Sequence, residues 1–476
     1  MTRSVRTASA RGGAVLRWLI VGALLATVVA ADSPQLGDGY WHVSGNRVLD
    51  AANQEVRVSG VQFTGFDAAN YVPHGTWGGI GRNWKSYLNQ IKALGFNVIK
   101  VPFSGDTFVP GRMPQNVDYG ANPDLRGKTT LEVLDMLVNE CRKRGIRIVL
   151  GYHRIQAGSF LGSGLWYLPG STTYTEQYWI DTWKALVGRY VGNPTVVGCD
   201  LFNEVHAAFD GSYPGPFWSA DGVDEPYNWR TAAKRAAEAI LSVNPNLLIC
   251  VQGMDGYAGE GSWWGANWMG LKDHPFDISK PGQVVYVVHD YGPNVWEQPW
   301  HDDPGFPANL PAFWDAQWGF VHDQGIGPVW IGEWGSRLDH PKEQEWATTL
   351  RDYIRSKGLS WTWWEWFPVS QDTGGILQDD WKTAWPEKLE LVRPVQYPQF
   401  PAPDTRDGGG CVSVPARRGY TTGRSGRAHA AHSSSVQGLR LVEDDDVVHV
   451  QVDADPFPDR VVVVARDERE DLRSAR

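Results

Sequence analysis

The sequence predicts an α/β protein of the (β/α)8 barrel (TIM barrel) class. Apolar, strand-like runs alternate eight times with amphipathic helices over about 350 residues, a usual length for this fold. Several of the apolar runs also end in polar residues, as expected where barrel strands open onto one face. A doubly wound sheet is the alternative, but no Gly-rich phosphate loop follows the first strand.

The elements follow one another regularly along the chain. A hairpin at 39–50 is predicted to lie under the barrel, and the alternating run 55–61 to be its first strand. The helix at 130–144 has Leu134, Leu137, Val138 and Cys141 on one face and ends at Gly145. By the same criteria the remaining strands are 97–102, 146–151, 196–202, 247–252, 284–288, 328–333 and 360–366, and the remaining helices 84–94, 175–191, 229–243, 311–324 and 343–357.

Three segments of different character make up the chain. Residues 1–31 carry four arginines before an apolar run and resemble a cleavable signal peptide, which predicts a secreted, extracellular protein; an uncleaved anchor is the alternative. Residues 32–395 form the predicted catalytic barrel. Residues 396–476 are rich in Pro and Gly at first and then poor in aromatic residues, which predicts a linker and a disordered tail with isolated strands at 447–452 and 461–464.

Composition limits the class of partner. The formal net charge of −10 argues against binding to nucleic acid or to an anionic membrane, and we expect a monomer. The 25 tryptophans offer flat apolar faces that suit sugar rings, although about half are expected in the core. The four cysteines, at spacings that fit neither a disulfide framework nor a metal cluster, are predicted to be buried thiols.

Two apolar runs end on glutamates. One is followed by Asn203 and Glu204, and the other, Pro328–Ile331, by Gly332 and Glu333. In a parallel barrel these two strand ends open onto the same face, so the two carboxyl groups are expected to meet there. Paired carboxyl groups are what glycoside hydrolysis requires, although a single strand-end glutamate is more often a surface charge.

Other strand ends add polar or aromatic side chains to this face. Their residue types suit hydrogen bonding to a polar substrate and stacking on it. Neither histidine has the local spacing of a metal-ligand motif, so no metal and no cofactor is predicted. The residues are Lys100, His153, His289, Tyr291 and Trp364.

Four motifs, in this order, resemble those of glycoside hydrolase family 5, in particular its bacterial endo-β-1,4-glucanases. They are Asp200–His206, Val287–Tyr291, Trp330–Gly335 and Trp361–Trp366, the last followed by Asp372–Leu377. The resemblance spans Gly39 to Val395. It implies a secreted enzyme that hydrolyses cellulose-type β-1,4-glucan, a polysaccharide substrate, with retention of configuration.

The same resemblance implies roles for individual residues. Glu204 would be the acid/base, Glu333 the nucleophile and Asn203 a donor to the substrate 2-hydroxyl. The negative charge of Glu333 is expected to raise the pKa of Glu204. The resemblance implies that Lys100, His153, His289, Tyr291 and Trp364 surround the reacting sugar, and that Trp77 and Trp264 are sugar platforms.

The sequence departs from the family pattern at four positions. Lys100 stands where the family usually has Arg, and Lys keeps the charge but not the bidentate fork. Val205, Gly151 and Phe202 stand where Pro, Asp and His are common. Two alternatives therefore stay open: a hydrolase of another β-glycan or glycolipid, with mannan, xyloglucan and mixed-linkage glucan as examples, and a catalytically weakened glycan-binding barrel.

Overall fold

A computed structural model describes residues 35–158, 164–208, 211–402, 441–444 and 447–450. The predicted signal peptide lies outside these residues. Within the described part of the chain, no helix is both long and apolar enough to span a membrane.

The chain begins with a three-stranded antiparallel sheet. The strands are β1 (His42–Ser44), β2 (Arg47–Leu49) and β3 (Glu55–Val56). The hairpin is where the sequence predicted it, but the predicted strand 55–61 is two strands. Its first two residues pair with β2, and the barrel strand begins only at Ser59, because the chain must leave this small sheet before it can pair with its parallel neighbours.

Eight parallel strands close into a barrel in chain order. The last strand pairs with the first through Trp361 and Ser59, which confirms the predicted (β/α)8 class. The barrel strands are β4 (Ser59–Gln62), β5 (Val98–Ser104), β6 (Arg147–Arg154), β7 (Val196–Asp200), β8 (Leu248–Gln252), β11 (Val284–His289), β12 (Val329–Trp334) and β13 (Ser360–Trp363), while β9 (Gly256–Tyr257) and β10 (Glu260–Gly261) form a small hairpin outside it.

Helices connect the strands, and their ends follow local sequence signals. In α2 (Thr130–Arg144), Thr129 and Glu132 form a reciprocal capping box, and Gly145 ends the helix with φ 64°. The predicted helix 311–324 is two short α-helices, α5 (Leu310–Trp314) and α6 (Phe320–Asp323), joined by a π-helical turn at Asp315–Gly319. The other helices are α1 (Trp84–Ala93), α3 (Glu176–Arg189), α4 (Trp229–Val243), α7 (Pro341–Lys357) and α8 (Pro386–Val392).

The core has two parts. The larger part lies between the strands and the helices, and it takes up most tryptophans, more than the half that composition suggested. The smaller part joins side chains of several barrel strands to Trp41, Val56 and Phe400. The N-terminal sheet therefore packs against the barrel interior at the end where the strands begin. Cys141, Cys199 and Cys250 are buried and unpaired, as predicted.

Packing against the barrel continues past Val395. The side chain of Gln396 donates to the carbonyl of Leu94, and the Tyr397 hydroxyl donates to the carbonyl of Leu359. A second unit, Gly409–Arg476, contains an antiparallel hairpin of β14 (Leu441–Asp444) and β15 (Val447–Val450). The predicted strand at 461–464 lies outside the described residues.

Candidate active site

The C-terminal ends of the barrel strands bring the two predicted glutamates together. Glu204 follows β7, and Glu333 lies near the end of β12. One carboxylate oxygen from each glutamate and one imidazole nitrogen of His289 all lie within 4.8 Å of one another. Residues 129 positions apart in the chain therefore form one cluster, because all parallel strands of the barrel end on the same face.

Glu204 is held at an unusual backbone angle. Its φ of 48° lies in the left-handed region, which non-glycine residues adopt at some energetic cost. Its backbone N–H donates to Gln252 Oε1 over 2.7 Å, which fixes this turn. Burial raises the pKa of its carboxyl group to about 7. The main cause is therefore burial, and not the charge of Glu333 as the sequence had suggested.

Glu333 lies deeper and has more hydrogen-bond donors. The Tyr291 hydroxyl donates to its Oε2 over 2.9 Å, and Gln62 Nε2 donates to its Oε1 over 3.2 Å. Burial raises the pKa of Glu333, while the nearby His289 and Lys100 act in the opposite direction. The donors and Lys100 stabilise the ionised carboxylate, which is the form a nucleophile needs.

His289 lies between the two glutamates. Its Nδ1 is 2.7 Å from Glu204 Oε1 and 3.5 Å from Glu333 Oε2. Burial lowers the pKa of this imidazole to about 4, so the ring is neutral and has one N–H. Nδ1 of this neutral ring hydrogen-bonds Glu204, and the group of the two that holds the proton is the donor.

Lys100, at the third position of β5, forms a buried ion pair beneath the glutamates. Its Nζ lies 2.6 Å from Asp200 Oδ2 and 3.6 Å from Glu333 Oε1. Burial alone would lower the pKa of Lys100, but the two carboxylates outweigh it and raise the pKa. A Cβ at Gly151 would lie 3.1 Å from Lys100 Cε, so the departures at 100 and 151 lie against each other.

Two glutamines at strand ends were not predicted as site residues. Gln62 ends β4 and donates to Glu333 and to the carbonyl of Gly332. Gln252 ends β8 and donates to Asp200 over 2.8 Å; its contact with Asn203 Oδ1 is longer, at 3.4 Å. The rule that selected the other residues, a polar side chain at a barrel strand end, also applies to these two.

Aromatic side chains surround the polar cluster. Trp364 stacks parallel to His153, with ring centroids 5.2 Å apart, directly after β13. Trp264 stacks on His206 at 3.9 Å, and the His206 Nδ1 lies 2.6 Å from the carbonyl oxygen of Glu204. His206, inside the quoted motif but given no role there, thus links Trp264 to the turn that contains Glu204.

Trp77 lies farther along the face. Its ring meets those of His74 and Trp381 edge to face, with centroids 5.1 and 5.2 Å apart. Among the described contacts, none joins Trp77 directly to Glu204 or Glu333. The predicted residues therefore form one central cluster and separate aromatic positions beside it.

The sequence profile of the cellulase family, glycosyl hydrolase family 5, matches residues 49–370. The chain belongs to this family. An endoglucanase of Paenibacillus polymyxa is 40% identical over 378 residues, covering 78% of this chain and 90% of the relative. The major extracellular endoglucanase of Xanthomonas campestris pv. campestris is 34% identical, covering 73% of this chain and 69% of the relative.

Solved structures agree with the sequence comparison. An endocellulase of Pyrococcus horikoshii, determined with cellotetraose, superimposes with a TM-score of 0.69 at 34% identity; the match covers 75% of this chain and 98% of that one. The catalytic domain of the Xanthomonas endoglucanase gives a TM-score of 0.68 at 32% identity, covering 75% and 99% of the two chains. This family 5 protein is a glycoside hydrolase with a (β/α)8 barrel.

Histidine and two carboxylates are also donor types for zinc. In this family 5 site, however, each of the three groups has a protein partner that accounts for its position. His289 bonds Glu204, while Tyr291 and Gln62 bond Glu333. A cation is not needed to explain the arrangement.

Proposed function

We propose that this family 5 enzyme cleaves internal β-1,4 bonds of cellulose-type glucan with retention of configuration. Glu333 is the nucleophile and Glu204 the acid/base. The observation that supports this most directly is the spacing of the two carboxyl groups, whose nearest oxygens lie within 4.8 Å. Retaining enzymes place these groups about 5 Å apart, whereas inverting enzymes leave room for a water at about 6.5–9.5 Å.

In the first half-reaction Glu333 attacks the anomeric carbon. The C1–O bond to the leaving sugar breaks, and the protonated Glu204 gives its proton to that oxygen. A pKa of about 7 keeps Glu204 protonated in mildly acidic solution, as an acid catalyst requires. Tyr291 and Gln62 hold Glu333 on its buried side, so that its attack has a fixed direction.

In the second half-reaction water attacks C1 from the side that the leaving group vacated. Glu204 takes the proton from this water, and the C1–O bond to Glu333 breaks. The ester at Glu333 has no charge, so Glu333 does not repel the ionised Glu204 that accepts this proton. Two inversions at C1 give net retention.

The surrounding aromatic residues suit a chain of sugars. Trp364 forms a flat face beside the reacting centre, with Trp264 and Trp77 farther out. Asn203 follows β7 immediately before Glu204, as expected for a donor to the 2-hydroxyl of the reacting sugar. The relatives described as endoglucanases support glucan as the substrate.

The first experiment is reducing-sugar release from a soluble β-1,4-glucan by residues 32–402. The proposal predicts release by the parent and a loss of about a thousandfold or more in Glu204→Gln and Glu333→Gln. Release from mannan or xyloglucan, but not glucan, would show that another β-glycan is the substrate. Binding to these polymers without hydrolysis would contradict the proposal and favour the weakened, glycan-binding barrel.

Rescue by azide distinguishes the two roles. In Glu333→Ala, azide is expected to replace the missing nucleophile and give an α-glycosyl azide from an activated β-glycoside. In Glu204→Ala, azide is expected to attack the glycosyl-enzyme and give the β-product. An exchange of these outcomes would reverse the assignment. The proposed mechanism uses no metal, so EDTA should leave the parent activity unchanged.

We further propose that the mature enzyme is secreted and monomeric. The apolar run after four arginines supports secretion. N-terminal sequencing of protein from the medium should begin near residue 32, and light scattering should give the monomer mass. Retention of the leader on a cell-bound protein would favour the uncleaved anchor.

A further inference from the structure

A third buried carboxyl group, Glu365, lies at the active centre and has no role in the mechanism above. It follows Trp364 directly in the chain and is 1% exposed. Its Oε2 forms a short hydrogen bond with the hydroxyl of Thr64, and Thr64 Oγ1 lies 3.0 Å from His74 Nδ1. Glu365, Thr64 and His74 thus form a buried hydrogen-bonded chain, here called the Glu365 chain.

The groups that face Glu365 come from several strand ends and are mostly acidic. Asp67 lies in the loop after β4 and Glu333 on β12, and both disfavour a negative charge on Glu365. Tyr291 follows β11, and the charge of Glu365 contributes to its raised pKa. The guanidinium that opposes them is Arg154, at the end of β6, and its Nε already lies 3.4 Å from Asp67 Oδ2.

These surroundings favour the uncharged acid. Burial raises the pKa of Glu365 to about 8; the Thr64 bond lowers it, and the charges of Asp67 and Glu333 raise it further. Burial lowers the pKa of His74 to about 4, so this ring is neutral. The Thr64 hydroxyl donates to Oε2 of this acid, and its contact with His74 Nδ1 continues the hydrogen-bonded chain.

Ionisation of Glu365 would place a buried negative charge at one end of this hydrogen-bonded chain. The new charge would also face Glu333, and the opposing guanidinium of Arg154 already pairs with Asp67. Trp364 precedes Glu365 directly, so a shift of Glu365 moves the aromatic face beside the reacting sugar. At the other end of the Glu365 chain, the ring of His74 contacts that of Trp77.

We propose that Glu365 is a positioning residue of this enzyme: as an uncharged acid bonded to Thr64 it holds Trp364 and His74 in place, and its ionisation inactivates the enzyme. It touches neither the substrate nor the reacting atoms, and it acts through its neighbours. The activity readout of this inference rests on the proposed function, but the stability readout does not.

The activity test compares pH profiles of kcat/KM on cellopentaose. Above pH about 7, loss of the Glu204 proton makes the parent fall about tenfold per pH unit. Above pH about 8, a second ionisation should steepen this to about a hundredfold per unit, while Glu365→Gln keeps the shallower fall. Thr64→Val removes a hydrogen bond that stabilises the Glu365 carboxylate. The steeper fall of kcat/KM should therefore begin at a higher pH in this variant than in the parent. Identical profiles for the parent and Glu365→Gln would overturn the proposal.

The stability test needs no substrate. Folded Glu365 keeps its proton up to a higher pH than the unfolded chain does, so this group makes the fold less stable as pH rises from about 4.5 to about 8. The Tm of Glu365→Gln relative to the parent should therefore increase across this window, by at least about 2 °C, and stay level above it. A Tm difference that does not change with pH would contradict a buried, uncharged Glu365, even if the protein proved inactive on every glucan.

A matched control is Glu343→Gln. Glu343 is also 1% exposed, but it lies on α7 and accepts from the backbone of Asn294, outside the cluster. This variant should keep the parent's steepening of the activity profile. If Glu365→Gln does not fold, the Thr64→Val profile decides: an unmoved steepening overturns the proposal, and a shift to higher pH supports it.

Discussion

The ammonium group of Lys100 lies 2.6 Å from a carboxylate oxygen of Asp200, and both side chains are almost fully buried. This ion pair lies beneath the glutamates and neutralises charge that would otherwise repel the ionised Glu333. A lysine ammonium is more compact than a guanidinium, and at this site it interacts with both Asp200 and Glu333. The departure from Arg at this position therefore keeps the charge at the site.

Removal of this cation should destabilise the protein. In Lys100→Met, Asp200 keeps its hydrogen bond from Gln252 but loses its buried cation, which typically costs about 3–5 kcal/mol of unfolding free energy. Denaturant unfolding at pH 7 measures this loss. Lys143→Met breaks an exposed pair with Glu140 and should cost about 1 kcal/mol or less. Equal effects of the two variants would show that the buried pair contributes little.

A side chain at position 151 should lower the activity. In Gly151→Ala the new Cβ would lie 3.1 Å from Lys100 Cε, so Lys100 must move relative to Glu333. We expect kcat to fall by about three- to tenfold, which corresponds to about 1 kcal/mol. Gly188→Ala on α3 meets its nearest neighbour, Val243, at an ordinary 3.4 Å and serves as the control. Unchanged kcat in Gly151→Ala would show that Lys100 can accommodate the new methyl group without a loss of activity.

Loss of the Tyr291 hydroxyl should affect the chemical step. Tyr291→Phe removes the 2.9 Å bond to Glu333, raises the pKa of that carboxyl group and frees its orientation. One hydrogen bond to a charged group is worth about 1.5–3 kcal/mol, so kcat should fall by about ten- to a hundredfold. Tyr257→Phe, which loses a bond to Asp273 at a more exposed position, is the control. A rise in KM at constant kcat would instead indicate a binding role.

The raised pKa of Glu204 should make the stability of the fold depend on pH. Its folded pKa of about 7 exceeds the ordinary value of 4.5, so the folded state binds more protons than the unfolded state in this window. Stability must then fall as pH rises from about 4.5 to 7. Glu204→Gln removes this contribution, and its Tm should gain on the parent across the same window. A gain confined to lower pH would mean an ordinary, solvated carboxyl group.

The Trp264 ring should contribute to binding more than to chemistry. It stacks on His206, whose Nδ1 lies 2.6 Å from the carbonyl oxygen of Glu204. We expect Trp264→Ala to raise KM for cellopentaose about five- to tenfold, equivalent to about 1–1.5 kcal/mol, with little change in kcat. Val191→Ala trims a side chain that is 54% exposed between α3 and β7, near the opposite end of the barrel, and should change neither constant. A fall in kcat alone would place Trp264 in the chemical step.

Local signals in the sequence predicted much of the fold. The bounds of α2 and α4 agree with prediction because each helix has a capping residue at its start and a clear apolar face. The first barrel strand was predicted too long, since the alternation of 55–61 is the same whether the strand pairs with a hairpin or with a parallel neighbour. Pairing partners are non-local, and periodicity does not specify them.

The sequence by itself predicted the barrel class and predicted that Glu204, Glu333 and most of the other strand-end side chains share one face. This was possible because parallel barrel strands all end on the same face, whatever the packing between them. Only the tertiary structure decided how these groups affect one another. It placed Gly151 against Lys100, aimed the amides of Gln62 and Gln252 at the cluster, and buried Glu365 beside Thr64. Charge state and hydrogen-bond direction depend on distances and burial across strands, and neighbouring strands meet in space through residues that are far apart in the chain.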